Sequence, residues 1–447
     1  MKSIITLLCL AACLRQTESF AQKNYPALID KYMQAQVSVN DFSGAVLVAY
    51  KGNIIYKKAF GYADREWKLP NTVETKFEIG SLTKQFTAAA ILQLAEQGKL
   101  RLDDKLSYYF PGYPKGDSVT LHMLLNHTSG IADYTGLPAF YPLHTLSLPK
   151  DSIINLFKNQ PYTFSPGTNW SYSNSGYFLL GCIIEKVSGQ PYSAYLYNNV
   201  IKKAGLANTG VNRIDSILVL RAKGYSKLEK GGWKNADYFS MEFPFSAGSL
   251  ISTVDDLYHW QTSLQQGKIV STDMLAKMTT PYRNGYGYGL FIDSFQHHNR
   301  LLHTGAIPGF TSYLCGFPAD GITIVVLSND DGNANAVGDA VNAILFNLPA
   351  DIPYKHVEHA INTAVLKRYP GRYQLGGSMN LTMIEKDSKL FIKPDGGPEL
   401  ELKPESETKF FFAHDPEQQI EFILDSKKEI TKCYFINKGS KMEIKKL

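Results

Sequence analysis

Strand-forming runs stand at the two ends of a segment whose middle is helical, and this limits the fold more than any other feature of the chain. Phe42 to Tyr50 reads as a buried strand, Lys51-Gly52-Asn53 as a turn, and Ile54 to Phe60 as a returning strand, so a hairpin is expected. Leu82 to Gln97 is rich in helix formers and stops at Gly98. From Leu100 to Ser246 helical pieces alternate with turn-rich loops, among them the turn signal Ser165-Pro166-Gly167. Strand signals return at Leu301-Leu302-His303, Ser312 to Gly316 and Ile322 to Leu327. Strands enclosing a helical middle predict an α+β arrangement.

A second boundary follows. Leu348-Pro349-Ala350-Asp351-Ile352-Pro353 breaks the pattern, and from Leu366 onward about a third of residues are charged, against 19% for the chain. Short alternating runs such as Leu390-Phe391-Ile392 and Ile420 to Leu424 are separated by turns such as Pro394-Asp395-Gly396-Gly397. That is the pattern of a small all-β domain, a sandwich or a barrel. The expected organisation is a signal peptide over 1–21, a main domain over 22–345, a linker over 346–365 and the small β domain over 366–447. At 447 residues, two or three domains are within the usual range.

Lys2, the apolar stretch Ile4 to Leu14 and the small residues Ser19 and Ala21 before Gln22 form the pattern of a cleaved secretory signal. The apolar run is too short to span a bilayer. A periplasmic or secreted protein is therefore expected. The alternative is a lipoprotein, because Leu10-Ala11-Ala12-Cys13 resembles a lipobox; only lipidation at Cys13 would bring the chain to a membrane. Beyond the signal segment, Cys182, Cys315 and Cys433 are far apart and odd in number, which suits small buried apolar residues better than a disulfide framework or a metal cluster. Neither metal nor cofactor is expected. The formal net charge is +5 with both signs interspersed and no long basic run, so no nucleic-acid partner is expected.

No serine has the Gly-x-Ser-x-Gly spacing of the α/β-hydrolase elbow. Instead Gly80-Ser81-Leu82-Thr83-Lys84 heads the long helical stretch, and a spacing of three puts Ser81 and Lys84 on one helix face. A serine hydroxyl needs a neighbouring base to act as a nucleophile. Lysine supplies one when burial or nearby charge lowers its pKa, and Phe86, Ala88, Ala89, Ala90 and Ile91 indicate that this helix is buried. The bland reading, a helix cap with an exposed lysine, is the commoner fate of Ser-x-x-Lys alone. A second element, Tyr172-Ser173-Asn174, precedes an apolar helix and offers a phenol for proton transfer and an amide for hydrogen bonding. A third, His303-Thr304-Gly305-Ala306, lies between strand-like runs, where a glycine admits close approach of a ligand and a strand edge can present an N–H to an oxyanion.

Taken in order, Ser-x-x-Lys, Tyr-x-Asn and His-Thr-Gly resemble the motifs of the serine β-lactamase and penicillin-binding-protein superfamily. The resemblance is to the branch around class C β-lactamases, D-aminopeptidases, DD-carboxypeptidase-like proteins and family VIII esterases. It covers about residues 25 to 345 and is supported by Phe77 to Ser81, Leu124 to Gly130 and Tyr286 to Leu290. The resemblance implies a β-lactamase-like fold, in which N- and C-terminal segments share an antiparallel sheet beside a helical subdomain. It implies Ser81 as the acylated nucleophile, Lys84 and Tyr172 as the proton-transfer pair, and Asn174, His303, Gly305 and Ala306 as substrate-binding positions, with the N–H groups of Ser81 and Ala306 as oxyanion donors. The implied reaction is hydrolysis of an ester or amide, such as a short ester or a D-amino-acid peptide or amide, with peptidoglycan-derived material among the candidate substrates. A class C-type β-lactamase and a binding or sensor module with little turnover are the alternatives.

The chain departs from the lysine-bearing relatives at His303. An imidazole is charged only part of the time near neutral pH, so its charge is expected to fade as pH rises and to weigh against carboxylate-bearing substrates. His127-Thr128-Ser129-Gly130 reads as a structural loop.

Overall fold

The structure is a computed structural model and describes residues 24–447, apart from Ile214, 229–230, Asn333, 377–378 and 438–439. The signal segment 1–21, the lipidation candidate Cys13 and the expected first residue Gln22 lie outside the described residues.

The chain begins with helix α1 (Tyr25–Asn40) and the hairpin β1 (Gly44–Tyr50) and β2 (Asn53–Phe60). Helices α2 (Thr83–Glu96) and α3 (Asn174–Ser188) belong to the helical middle. Strands β3 (Phe291–Phe295), β4 (His298–Ile307), β5 (Phe310–Phe317) and β6 (Ile322–Ser328) follow, and then helix α4 (Ala334–Leu345). The two groups of strands form one six-stranded sheet in the order β3-β4-β5-β6-β1-β2, and every neighbouring pair is antiparallel. β1 lies against β6 with Val46 opposite Val326, so the first strand of the chain occupies an interior place in the sheet.

The apolar character of β1 and β6 follows from this position. Successive strand residues point to opposite faces. Ala45, Leu47, Val325 and Leu327 face the core that contains α2 and α3, whereas Val46, Val48, Ile324 and Val326 face α1 and α4. A strand covered on both faces has no solvent side on which to place polar residues. Helix α2 is enclosed in the same way, with every residue from Thr83 to Leu94 buried, and Phe86 stacks on Trp260 at 3.9 Å.

Eight strands close the C-terminal part into a barrel: β7 (Gly371–Leu375), β8 (Met379–Lys386), β9 (Lys389–Pro394), β10 (Leu400–Pro404), β11 (Lys409–Phe412), β12 (Gln418–Leu424), β13 (Ile430–Asn437) and β14 (Ser440–Lys446). Pairing of Tyr373 with Lys446 joins first strand to last. Closure leaves no unpaired strand edge, and it settles the choice between sandwich and barrel. The interior is filled by alternating residues such as Leu381, Met383, Phe410, Phe422 and Ile444, with Tyr369 stacked on Phe422 at 4.1 Å. The stretch before the barrel is tied to it, for Tyr354 donates to Glu405 and His356 lies 3.0 Å from the same carboxylate. Cys182, Cys315 and Cys433 are buried free thiols. Among the described residues no helix is long and apolar enough to cross a membrane.

Candidate active site

Ser81 sits in a 3-10 turn, Gly80–Leu82, that leads directly into α2. Two glycines permit the turn to lie against the sheet. Gly80 has φ +50°, and a Cβ there would come 2.8 Å from the Ala306 nitrogen. On β4, a Cβ at Gly305 would fall 2.1 Å from the Ile79 oxygen, which no side chain can occupy. The close approach expected of a ligand at Gly305 is therefore made by the nucleophile turn itself. Ser312 donates to the Ile79 carbonyl at 2.8 Å and fixes that contact. Ala306, by contrast, is exposed beside the turn, with its backbone nitrogen on the Gly80 side.

Lys84 is fully buried one helical turn after Ser81. Its Nζ lies 3.0 Å from Ser81 Oγ, 2.8 Å from Asn174 Oδ1 and 2.8 Å from the Ala247 carbonyl. Burial lowers its pKa to about 7, and Asp133 opposes part of that shift. At neutral pH a large fraction is the free amine. In that form Asn174 and Ala247 take the two remaining protons, and the lone pair is free to accept from the Ser81 hydroxyl.

Tyr172 lies two residues before the start of α3. It is half-buried, within hydrogen-bonding reach of Ser81, and its ring centroid is 4.8 Å from Lys84 Nζ. Burial raises its pKa above the ordinary phenol value, so the group is a neutral phenol with a proton to give. Asn174 opens α3, and Asp133 aims its amide by accepting from the backbone N–H at 3.1 Å and from Nδ2 at 3.2 Å. The structure thus brings Ser81, Lys84, Tyr172, Asn174 and Ala306 to one place.

His303 differs from expectation. Its side chain is 2% exposed and packs among Tyr172, Tyr286 and Phe291. Nδ1 donates to the Thr304 carbonyl at 2.6 Å, and Nε2 accepts from the Tyr286 hydroxyl at 3.0 Å. Burial and the nearby Lys84 lower its pKa to about 3. The imidazole is neutral throughout the physiological range, so the expected loss of charge through neutrality does not occur, and the ring faces protein rather than a substrate carboxylate. The sequence pattern could not show this, because the residues that enclose His303 come from two other stretches of the chain, one around Tyr172 and one over Tyr286 to Phe291.

Two further groups had no sequence signal: Asp133 and the Ala247 carbonyl lie in stretches without a motif. Tyr286 was visible as part of the run Tyr286 to Leu290, but without a role. One residue along β4 from Ala306, a cavity of about 1020 Å³ begins at Ile307. Phe310, Phe245, Val211 and Phe239 form an apolar part of its lining, Arg213, Asp215, Lys223 and Glu242 a charged part, and Ser249 contributes a buried hydroxyl with no partner. Glu78 forms part of its wall, held by Arg221 at 3.0 Å and Asn212 at 2.9 Å. Among the described residues no cluster of side chains could hold a metal ion.

Comparison with known proteins agrees with this geometry. The sequence profile of the family described as Beta-lactamase matches residues 27–347. A penicillin-binding protein of Bacillus subtilis (strain 168) is 32% identical over 403 residues, which span 83% of this chain and 88% of the relative. The octameric penicillin-binding protein homologue from Pyrococcus abyssi superposes with a TM-score of 0.68 at 26% identity, covering 94% of this chain and 99% of the other, so the likeness includes the barrel. A D-stereospecific amidohydrolase from Streptomyces superposes with a TM-score of 0.60 at 26% identity, over 68% of this chain and 94% of that one. A six-stranded sheet that clamps a serine–lysine helix against a tyrosine and an asparagine, with matches of this extent, identifies the chain as a member of the β-lactamase family of serine hydrolases.

Proposed function

We propose that the chain hydrolyses an ester or amide through a covalent acyl group on Ser81. The observation that carries this reading is the buried Lys84 amine, 3.0 Å from Ser81 Oγ and titrating at about 7. The amine takes the hydroxyl proton as Oγ attacks the substrate carbonyl. The N–H groups of Ser81 and Ala306 receive the developing oxyanion. Collapse breaks the bond to the leaving group, which takes a proton from Tyr172, and the lysine ammonium returns one to the phenol. Water then attacks the acyl ester, its proton passes to the same pair, and Ser81 leaves with a proton restored. Asn174 holds Lys84 with its oxygen, and its Nδ2 is held by Asp133 and Thr135.

Two observations bear on the substrate. A neutral, enclosed His303 supplies no fixed cation beside β4, which favours substrates without a carboxylate at the scissile bond. The cavity beyond Ala306 combines an apolar wall with charged residues such as Glu78, Arg213 and Lys223, which suits an acyl group that carries a polar or charged substituent. D-amino-acid amides fit both observations, and short neutral esters fit the first. The test is a panel of p-nitrophenyl esters, D-amino-acid amides, D-alanyl-D-alanine peptides and nitrocefin, run on the wild type and on Ser81→Ala. Esters and amides should turn over faster than nitrocefin, and Ser81→Ala should lose both turnover and fluorophosphonate labelling. Full turnover by Ser81→Ala would overturn the mechanism, and efficient nitrocefin hydrolysis would make the chain a β-lactamase in activity.

Export belongs to the same proposal, on the strength of the apolar segment and the small residues before Gln22. N-terminal sequencing of the protein from its native host should begin at Gln22. A lipid on Cys13 would replace a soluble periplasmic protein with an anchored one.

A further inference from the structure

His127 lies outside the reaction described above, yet it grips the segment that carries Tyr172. It follows the short helix Leu121–Leu125, is 1% exposed and has φ +63°, a conformation uncommon for a residue other than glycine. Its carbonyl accepts from the Ser171 N–H at 3.1 Å, and its Nδ1 accepts from the Ser173 N–H at 3.2 Å. The two bonds bracket Tyr172. The next N–H, of Asn174, goes to Asp133. Residues 170–173 belong to no helix or strand, and Ser173 is extended, so these side-chain and carbonyl acceptors take the place of a ladder in fixing the position of Tyr172. The His127 ring also lies 4.4 Å from the Tyr172 ring and 4.5 Å from that of Tyr286, centroid to centroid.

An accepting Nδ1 carries no proton, so the ring proton is on Nε2. That atom is buried without a hydrogen-bond partner. An unpaired buried N–H is costly, and a residue present only to fill space would be better as a hydrocarbon. The arrangement makes sense if the acceptor at Nδ1 is what the position requires. Burial, with Lys84 and His303 nearby, keeps the pKa of His127 well below 6.5, so the acceptor is available at all working pH values.

We infer that His127 is a positioning residue for the reaction: its carbonyl and Nδ1 hold Tyr172 against Ser81, and it acts through Tyr172 rather than on the substrate. The inference rests on the proton-transfer role of Tyr172 proposed above.

Three substitutions separate ring from acceptor. His127→Asn keeps an acceptor near the Nδ1 position and tolerates a positive φ. His127→Phe keeps a ring and deletes the acceptor, and His127→Ala deletes both and serves where the bulkier variant does not fold, as judged by circular dichroism. With a neutral p-nitrophenyl ester, His127→Asn should keep kcat within about threefold, whereas His127→Phe or His127→Ala should lower kcat by about ten- to a hundredfold with little change in KM, as misplacement of a catalytic group does. In a Tyr172→Phe background the same substitutions should cost nothing further. Equal losses in His127→Asn and His127→Phe, or a loss that persists undiminished without the Tyr172 hydroxyl, would overturn the inference while leaving the role of Tyr172 intact. Wild-type kcat in Tyr172→Phe alone would instead remove the proton role on which it rests.

Discussion

The sheet-and-helix region and the barrel bury different kinds of residue. The interior of the first encloses Lys84, His127, His303, Glu78 and Asp330, each nearly inaccessible to solvent. The barrel interior is made of Leu, Ile, Met, Phe and Tyr side chains with one cysteine, and its charged groups lie in pairs toward solvent, such as Arg372 with Asp395 and Lys441 with Glu421. Burial of a charge-bearing group without full compensation is destabilising, and Lys84, His127 and His303 all have lowered pKa values as a result. Such groups persist where chemistry uses them. The contrast agrees with the proposal that reaction takes place in the first region.

The contrast can be broken most directly at Lys84. Lys84→Met keeps bulk and removes the amine, and kcat/KM should fall by about a hundredfold or more, the contribution of a positioned base. The pH profile gives the matching wild-type signature. The amine is the active form, so kcat/KM should rise with pH through about 7 and then level, with no inflection from His303, whose pKa is about 3. Stability follows the same proton. Lys84 titrates at about 7 in the fold and at about 10.4 when unfolded. Between those values the unfolded chain binds more protons, so stability should rise with pH across that window, and Lys84→Met should flatten the rise. A rate profile flat from pH 5 to pH 9 would deny Lys84 the role of base.

The barrel should show the converse, with a large effect on stability and a small one on rate. Phe422 is 1% exposed and stacked on Tyr369. Phe422→Ala should cost about 3–5 kcal/mol of barrel stability, measured by denaturant unfolding, yet change kcat/KM by less than about twofold below the transition, since distant sites act independently. A loss of activity in step with the loss of stability at temperatures where the barrel is still folded would show that the barrel shapes the site, and the division drawn above would fail.

The strands and the buried α2 helix were legible because each leaves a local trace: an apolar run closed by a turn, and an apolar helix without a polar face. Ser81 with Lys84, and Tyr172 with Asn174, were legible for a similar reason, since spacings of two and three residues fix neighbours on one short stretch of backbone. Closure of the barrel was not, because alternating strands look alike in a sandwich and in a barrel until first pairs with last. The state of His303 depended on Tyr286, Phe291 and Tyr172, which only the fold assembles around it. Asp133 and the Ala247 carbonyl became partners of Asn174 and Lys84 in the same way. The sequence by itself determined which groups could react. Tertiary structure decided which of them are neutral, because pKa values are set by burial and by charges that arrive from distant parts of the chain.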